Sequence, residues 1–322
     1  MPLPEVVLVQ MPYVAVQRPS IALSLLKSAL QLEGVSSQVV YPNLWWAEEI
    51  GLGLYEAVAS TQNDDLLGDW IFAGAAFPEH ECDWLAYFEL LNLDVTQVMF
   101  GERGDILQRF QACREKAPAF IDRTARRILE SGPKIVGCTS MFAQNCASLA
   151  LLRRIRELAP EVVTMMGGAN CDTPMGEVLH RNFEWVDYLM TGEADLTFGP
   201  FCRSLLRGQA ELPPGMLGPQ HRGAPESVQR ATTFKMDDVP TPDFDDYFAS
   251  LNDSPLGAYV HPGLVVESSR GCWWGESHHC TFCGLNANGM DFRSRSGPAA
   301  QKEFATIADR YGIHQFLVAD NI

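Results

Sequence analysis

The sequence predicts an α/β protein: a doubly wound parallel sheet that carries a helical insertion and is followed by the opening of a second α/β unit. Three observations predict it. Short apolar runs alternate with amphipathic helical stretches on either side of an aromatic-rich block at 44–132, a proline- and glycine-dense stretch follows at 208–262, and a fresh strand then leads into three clustered cysteines.

The first apolar run, Val6 to Gln10, reads as a strand. A loop with Pro12 and Pro19 follows, and Ser20 is the N-cap of a helix whose apolar face holds Ile21, Leu25, Leu26 and Ala29. Gly34 stops that helix, and Gln38 to Tyr41 closes a first βαβ unit. The block Leu44 to Gly132 contains Trp45, Trp46, Trp70, Phe72, Phe77, Trp84, Tyr87 and Phe88, and reads as helices. Two roles are open to it: an insertion with an ordinary core of its own, or a cap over the ligand end of the sheet. Alternation resumes with a strand at Ile135 to Cys138 and a helix from Asn145 to Leu158, its apolar side formed by Leu149, Leu152 and Ile155. A strand at Val162 to Met166, a helix at Pro174 to His180 and a strand at Tyr188 to Met190 complete the doubly wound pattern. The punctuated stretch 208–262, with its acidic run Asp243 to Asp246, reads as a linker between a domain at 1–207 and a second at 263–322. The second domain has strands at Leu264 to Ser268 and Gln315 to Val318, with a helix at Pro298 to Tyr311 between them.

Composition narrows the function. The chain has 322 residues, 47% hydrophobic and 20% charged, and a formal net charge of -16. That charge argues against nucleic acid and anionic lipid as partners, because both ask for a basic face. Met1 to Gln10 lacks the basic region of a signal peptide, so a cytoplasmic location is expected. The uncharged run Ile135 to Leu152 is broken by Thr139, Ser140, Gln144, Asn145 and Ser148, and is expected to be strand, loop and helix rather than a membrane span. Nine cysteines, an odd count, argue against a disulfide framework. Cys82, Cys113, Cys138, Cys146, Cys171 and Cys202 are scattered and read as small buried hydrophobes.

The other three cluster. Glu267-Ser268-Ser269-Arg270-Gly271-Cys272 is followed by seven residues and then Cys280-Thr281-Phe282-Cys283. Thiolates are the preferred ligands of iron-sulfur clusters, and three of them leave one iron of a 4Fe-4S cube open to a substrate. A structural zinc, with His278 or His279 as fourth ligand, is the alternative. In the first domain, the loops at 11–19, 139–144, 167–172 and 192–195 follow successive strands, at the edge where parallel sheets bind ligands. Gly167-Gly168-Ala169 either lets a ligand approach the backbone or makes a tight packing turn. The chain contains no G-x-G-x-x-G fingerprint and no P-loop.

The strand, the three-cysteine loop and Phe282 just before the last cysteine resemble the radical S-adenosylmethionine enzymes. The seven-residue gap, longer than in most members, resembles the cobalamin-dependent branch that matures ribosomally made peptides, the RiPP maturation radical C-methyltransferases. The first domain is similar to that family's cobalamin-binding domain, and Gly68-Asp69-Trp70-Ile71-Phe72 resembles its insertion. The resemblance implies three cofactors: a 4Fe-4S cluster on Cys272, Cys280 and Cys283, S-adenosylmethionine, and cobalamin. By motif match Thr139, Ser140, Met141, Gly167, Gly168, Ala169, Gly192 and Glu193 would line the corrin or its nucleotide tail. No histidine ligand to cobalt is expected, since D-x-H-x-x-G is absent. S-adenosylmethionine would chelate the open iron, with Phe282 against its adenine and Asp320 and Asn321 near its methionine part. The implied activity is C-methylation: one S-adenosylmethionine supplies methyl through cobalamin, and a second supplies the radical that takes hydrogen from an unactivated carbon. The implied partners are a precursor peptide and an electron donor of flavodoxin or ferredoxin type. The alternatives are a non-catalytic cobalamin- or cluster-binding remnant, and a methyltransferase of small natural products. A complete (β/α)₈ barrel takes roughly 250 residues, whereas 263–322 supplies two of its strands, so the barrel is expected to be only its first part and the chain to need another to complete it.

Overall fold

The computed structural model describes residues 3–61, 65–80, 83–91, 102–223, 228–283 and 290–320. Its main sheet contains β1 (Val6–Val9), β2 (Ser37–Val40), β3 (Ile135–Thr139), β4 (Val163–Gly167), β5 (Tyr188–Met190) and β6 (Met216–Leu217). The strand order is β2-β1-β3-β4-β5-β6, parallel except for β6, which runs antiparallel to β5. All residues of β1 and β3 are buried, as expected of central parallel strands covered on both faces. The order reverses between β1 and β3, so the crevice at their carboxyl ends is the topological switch point.

Helix α1 (Ile21–Leu32) starts where the Ser20 hydroxyl accepts from the Leu23 amide. It packs with α9 (Phe198–Leu206), and α8 (Met175–Asn182) lies between β4 and β5 in the chain. The other face of the sheet is covered by α7 (Asn145–Leu158), which packs against α4 (Leu67–Ala76) and α6 (Arg103–Leu129) of the insertion. The insertion also includes α2 (Pro42–Ile50), α3 (Leu52–Ala59) and α5 (Trp84–Leu90). Its core is aromatic: Trp46 lies 5.2 Å from Phe72 and 4.8 Å from Phe120, centroid to centroid, and the Arg114 guanidinium sits 4.7 Å over Trp70. The run Gly68 to Phe72 is explained by packing. A β-carbon on Gly68 would meet Tyr13 at 2.7 Å, and Asp69 accepts from the Cys146 amide at 2.6 Å, tying α4 to the first turn of α7. The insertion thus has a core of its own, while Thr61 and Leu66, at the ends of α3 and α4, border the ligand edge of the sheet.

The stretch expected to be a linker is built into the body instead. It supplies β6, whose Leu217 pairs with Leu189, and α10 (Asp245–Asp253), which packs on β2. Its acidic run is neutralised by a buried lysine: Lys27 Nζ lies 3.1 Å from Asp243 and 2.7 Å from Asp246. Asp246 also accepts from the Val39 amide at 2.8 Å, and the Tyr247 hydroxyl donates to the Val16 carbonyl. Prolines mark real turns here, but the cation that fixes the segment sits on α1, far off in sequence. Past it, β7 (Leu264–Val266) pairs in parallel with β10 (Phe316–Val318), and α11 (Gly297–Tyr311) lies over them. Phe244, Leu264, Val266 and Ile307 form the small core of this unit. A two-residue ladder joins β8 (Ser269–Arg270) to β9 (Arg293–Ser294). Among the described residues no helix is long and apolar enough to cross a membrane.

Candidate functional site

Two cavities meet at the switch point. A depression of about 420 Å³ opens at the ends of β1 and β3, bordered by Gln10, Arg18, Met141 and Phe142, and on its far side by Val265 and Leu317 of the second unit. A narrower slot of about 200 Å³ runs beneath it between the sheet and helices α1 and α9. Both are lined by Ala22 and Thr139, where they adjoin.

The slot exists because its floor lacks side chains. Gly137 on β3 pairs with Leu8 and Met165, and Gly167 pairs with Thr139 one row further on. A β-carbon on Gly137 would already lie 3.2 Å from the Leu8 side chain. Glycine inside a strand is unfavourable unless something must come close to it. At the depression, Gln10 is 4% exposed, and its Oε1 is itself buried with no hydrogen-bond partner among the described residues.

The loops around the cavities are fixed from below. Gln144 Nε2 donates to the Met11 carbonyl at 2.5 Å and its Oε1 accepts from the Met141 amide at 3.1 Å, locking the loop after β3 to that after β1. The Ser140 amide donates to the Gly167 carbonyl at 2.7 Å, and Asn170 Nδ2 donates to the Ser140 hydroxyl. Gly168 has φ +109°, and a β-carbon there would fall 2.5 Å from the Ser140 carbonyl oxygen. Gly168 is therefore the tight packing turn. Of the residues matched to cobalamin in the sequence, Thr139 borders both cavities, Met141 the depression, and Gly167, Gly168, Gly192 and Glu193 the slot. Ser140 and Ala169 border neither: Ser140 is bonded to Gly167 and Asn170 in the clasp between β3 and β4, and Ala169 is exposed beside it.

One wall of the slot is ionic. Arg270 donates to Asp195 at 2.6 Å, to Glu193 at 3.1 Å and to Glu267 at 2.7 Å, so it joins the sheet to the second unit. Arg293 donates to both oxygens of Glu193, at 2.7 and 2.9 Å, and the Thr233 amide adds a third donor. Burial alone would raise the Glu193 pKa, but the bonds from Arg293 and Thr233 and the charge of Arg270 outweigh it and hold it at about 2. Glu193 is thus a fixed anion committed to arginines.

The cysteine loop follows β8. Gly271 has φ +77°, and a β-carbon on it would meet the Asp291 carbonyl oxygen at 2.2 Å, so only glycine fits immediately before Cys272. Cys272 Sγ accepts from the Gly275 amide at 3.3 Å, and the Cys283 amide donates to the Cys280 carbonyl at 3.0 Å across a tight turn. All three cysteines are partly buried. They share one loop, yet among the described residues no three His, Cys, Asp or Glu side chains are gathered closely enough to hold a metal. The His278 ring stacks on Trp274 at 4.8 Å, and Phe282 is 90% exposed. Asp320 accepts from the Ser268 amide at 2.7 Å and from both the Ser268 and Ser269 hydroxyls, so it braces the strand end. Burial opposes ionisation of Asp320, but these bonds prevail and its pKa is lowered. Asn321 lies outside the described residues.

Sequence reading missed Gly137, Gln10 and Gln144. The signals were present: a glycine within a buried apolar strand, a glutamine at the end of β1, and another in the turn that leads from β3 into α7.

No protein-family model matches the chain. The chain is 21% identical over 204 residues to the anaerobic magnesium-protoporphyrin IX monomethyl ester cyclase of Rubrivivax gelatinosus, covering 62% of this chain and 35% of that protein. Among solved structures it is similar to the cobalamin-dependent S-adenosylmethionine radical enzyme OxsB with aqua-cobalamin bound, at TM-score 0.59 and 16% identity, covering 99% of this chain and 34% of that one. It is also similar to the radical S-adenosylmethionine methyltransferase TsrM from Kitasatospora setae with cobalamin and a 4Fe-4S cluster bound, at TM-score 0.51 and 15% identity, covering 98% of this chain and 48% of that one. The chain thus spans about a third of the curated relative and a third to a half of these structures. Its α/β fold is that of cobalamin-dependent radical S-adenosylmethionine enzymes.

Proposed function

We propose that this chain forms the cobalamin-binding and cluster-binding part of a radical S-adenosylmethionine methyltransferase. The observation that carries the reading is the pair of joined cavities at the switch point, a broad depression facing the second unit and a narrow slot running back from it. That is the outline of a flat ring with a tail. The glycine floor lets a ligand approach the sheet backbone, and the three cysteines on one loop are the donor set of a 4Fe-4S cluster. When bound, the two cofactors supply methyl transfer and one-electron cleavage of S-adenosylmethionine. The protein's own part is positional. Cys272, Cys280 and Cys283 hold the cluster at the end of β8, Thr139 and Met141 border the ring, and Val265 and Leu317 keep the shared space apolar. Phe282, exposed beside Cys283, is free to cover the adenine, while Asp320 acts on the methionine part only through the strand end it braces.

The finer reading is C-methylation of a ribosomally made precursor peptide, with reducing electrons from a flavodoxin or ferredoxin. It rests on the seven-residue gap between Cys272 and Cys280. The test is anaerobic reconstitution followed by iron, sulfide and corrinoid analysis of the chain and of a Cys280→Ala/Cys283→Ala variant. Roughly four irons per chain and one bound cobalamin are expected, with iron lost and cobalamin retained in the variant. Stoichiometric zinc in place of iron would overturn the cluster assignment.

A further inference from the structure

The two ends of the cysteine loop are joined by a weak device. The ladder between β8 and β9 is two residues long, and it sets Arg270 directly opposite Arg293. Like charges facing each other across a ladder repel, and a pairing so short is marginal. What offsets the repulsion comes from the sheet domain: one oxygen of Glu193, Oε2, accepts from Arg270 at 3.1 Å and from Arg293 at 2.7 Å. Asp195 takes two further bonds from Arg270, and the Thr233 carbonyl takes one from Arg293. The Cys272 amide donates to the Met290 carbonyl at 3.3 Å, next to the ladder, so the first cysteine is held by the same closure. Glu193 also belongs to the slot, whose ionic wall runs through Gly192, Glu193, Ala194, Asp195 and Arg270. The amides of Gly192 and Ala194, on either side of Glu193, make no hydrogen bond among the described residues. A ligand in the slot that takes these donors fixes the backbone that aims Glu193 at the two arginines.

We infer that a corrinoid on the sheet domain and a cluster on the cysteine loop strengthen each other's binding through Glu193; the inference rests on the cobalamin and cluster reading above. Two states of the loop base are involved: a closed one, with both arginines on Glu193, and an open one, in which the short ladder has parted. Among the described residues the three cysteines are not gathered around a metal-sized site, so a cluster that takes all three has to gather them, and a closed base lowers that cost. The ionic wall of the slot is complete only in the closed state, because Arg270 is part of it. Both ligands therefore favour the same state, and linkage makes the gain reciprocal.

The test is equilibrium dialysis of cobalamin against the full chain, with and without its anaerobically reconstituted cluster. The cluster-loaded chain is expected to bind cobalamin about tenfold tighter, the worth of one hydrogen bond to a charged group. Reciprocally, cobalamin is expected to raise by the same factor the chelator concentration that strips the iron. Arg293 does not border the slot, so in an Arg293→Met variant the cluster-free affinity for cobalamin is expected to be unchanged and to report an intact sheet domain. The gain on loading the cluster is expected to vanish in that variant, and Arg293→Lys to restore part of it. Equal affinity with and without the cluster in the parent chain would overturn the coupling and leave both cofactor sites standing. A gain retained in full by Arg293→Met would overturn the role of Glu193. Failure to bind cobalamin in either state, or to bind iron, would overturn instead the reading on which the inference rests.

Discussion

Replacing Arg270 with methionine keeps the length of the side chain and removes the fork that joins the two units. In the parent structure the guanidinium faces three carboxylates, with its side chain 13% exposed and those of Asp195 and Glu267 at 9% and 16%. Without it, Glu267 loses both of its bonds to Arg270, and Asp195 keeps only the Thr233 hydroxyl at 3.3 Å. Glu193 retains Arg293 and the Thr233 amide. Removing one partner of a buried ion pair costs about 3–5 kcal/mol, and the partners left to Glu193 and Asp195 place this case near the lower end, at about 3 kcal/mol. With a urea slope of about 2 kcal/mol/M, the unfolding midpoint falls by roughly 1–2 M. Tryptophan fluorescence during urea titration reads it directly, since the chain has seven tryptophans. Arg270→Lys should fall between the two, because a lysine restores the charge without the fork. A methionine variant within about 0.5 kcal/mol of the parent, close to the worth of an exposed pair, would refute the idea that this arginine clasps the units.

Three further outcomes follow from the same reasoning. Lys27→Met leaves Asp243 and Asp246 short of their buried cation and should expose 240–255 to limited proteolysis at concentrations that spare the parent chain. Gly168→Ala sets a β-carbon 2.5 Å from the Ser140 carbonyl oxygen at a backbone angle unsuited to alanine; a loss of about 2 kcal/mol should lower the thermal midpoint by roughly 4–8 °C. Glu193 has a folded pKa of about 2 against 4.5 unfolded, so its contribution is complete above the unfolded value and is lost as pH falls toward 2. That contribution is about 3 kcal/mol, of which about 2 kcal/mol is gone at about pH 3. A Glu193→Gln variant should show a flatter acid limb in urea titrations between about pH 6 and pH 3.

The parallel strands of the main sheet were legible because their information is local. Apolar period, the Ser20 cap and the glycine stops set each strand or helix within a few residues of where it lies. The cysteine loop was legible as chemistry, since thiol spacing is read along one dimension, though not as geometry. What the sequence concealed is pairing at a distance. Glu193 reads as a ligand residue until Arg270 and Arg293, 77 and 100 positions away, are seen to claim it. The acidic run at 243–246 reads as part of a linker until Lys27 is found buried against it. The slot was hidden for a different reason: absent side chains make it, and a single glycine in an apolar strand is a quiet signal.

The bond from the Val39 amide to Asp246 spans 207 positions of sequence. β2 is the outer strand of the sheet, and α10 covers its open side only after that distance has been translated. At about 5–20 residues per second, the interval is roughly 10–40 s. For that time the nascent sheet presents an unprotected edge to its neighbours on the ribosome. The N-terminal unit therefore waits for its own guard, and chaperone demand during synthesis should be set by the arrival of residue 246, not by completion of the sheet.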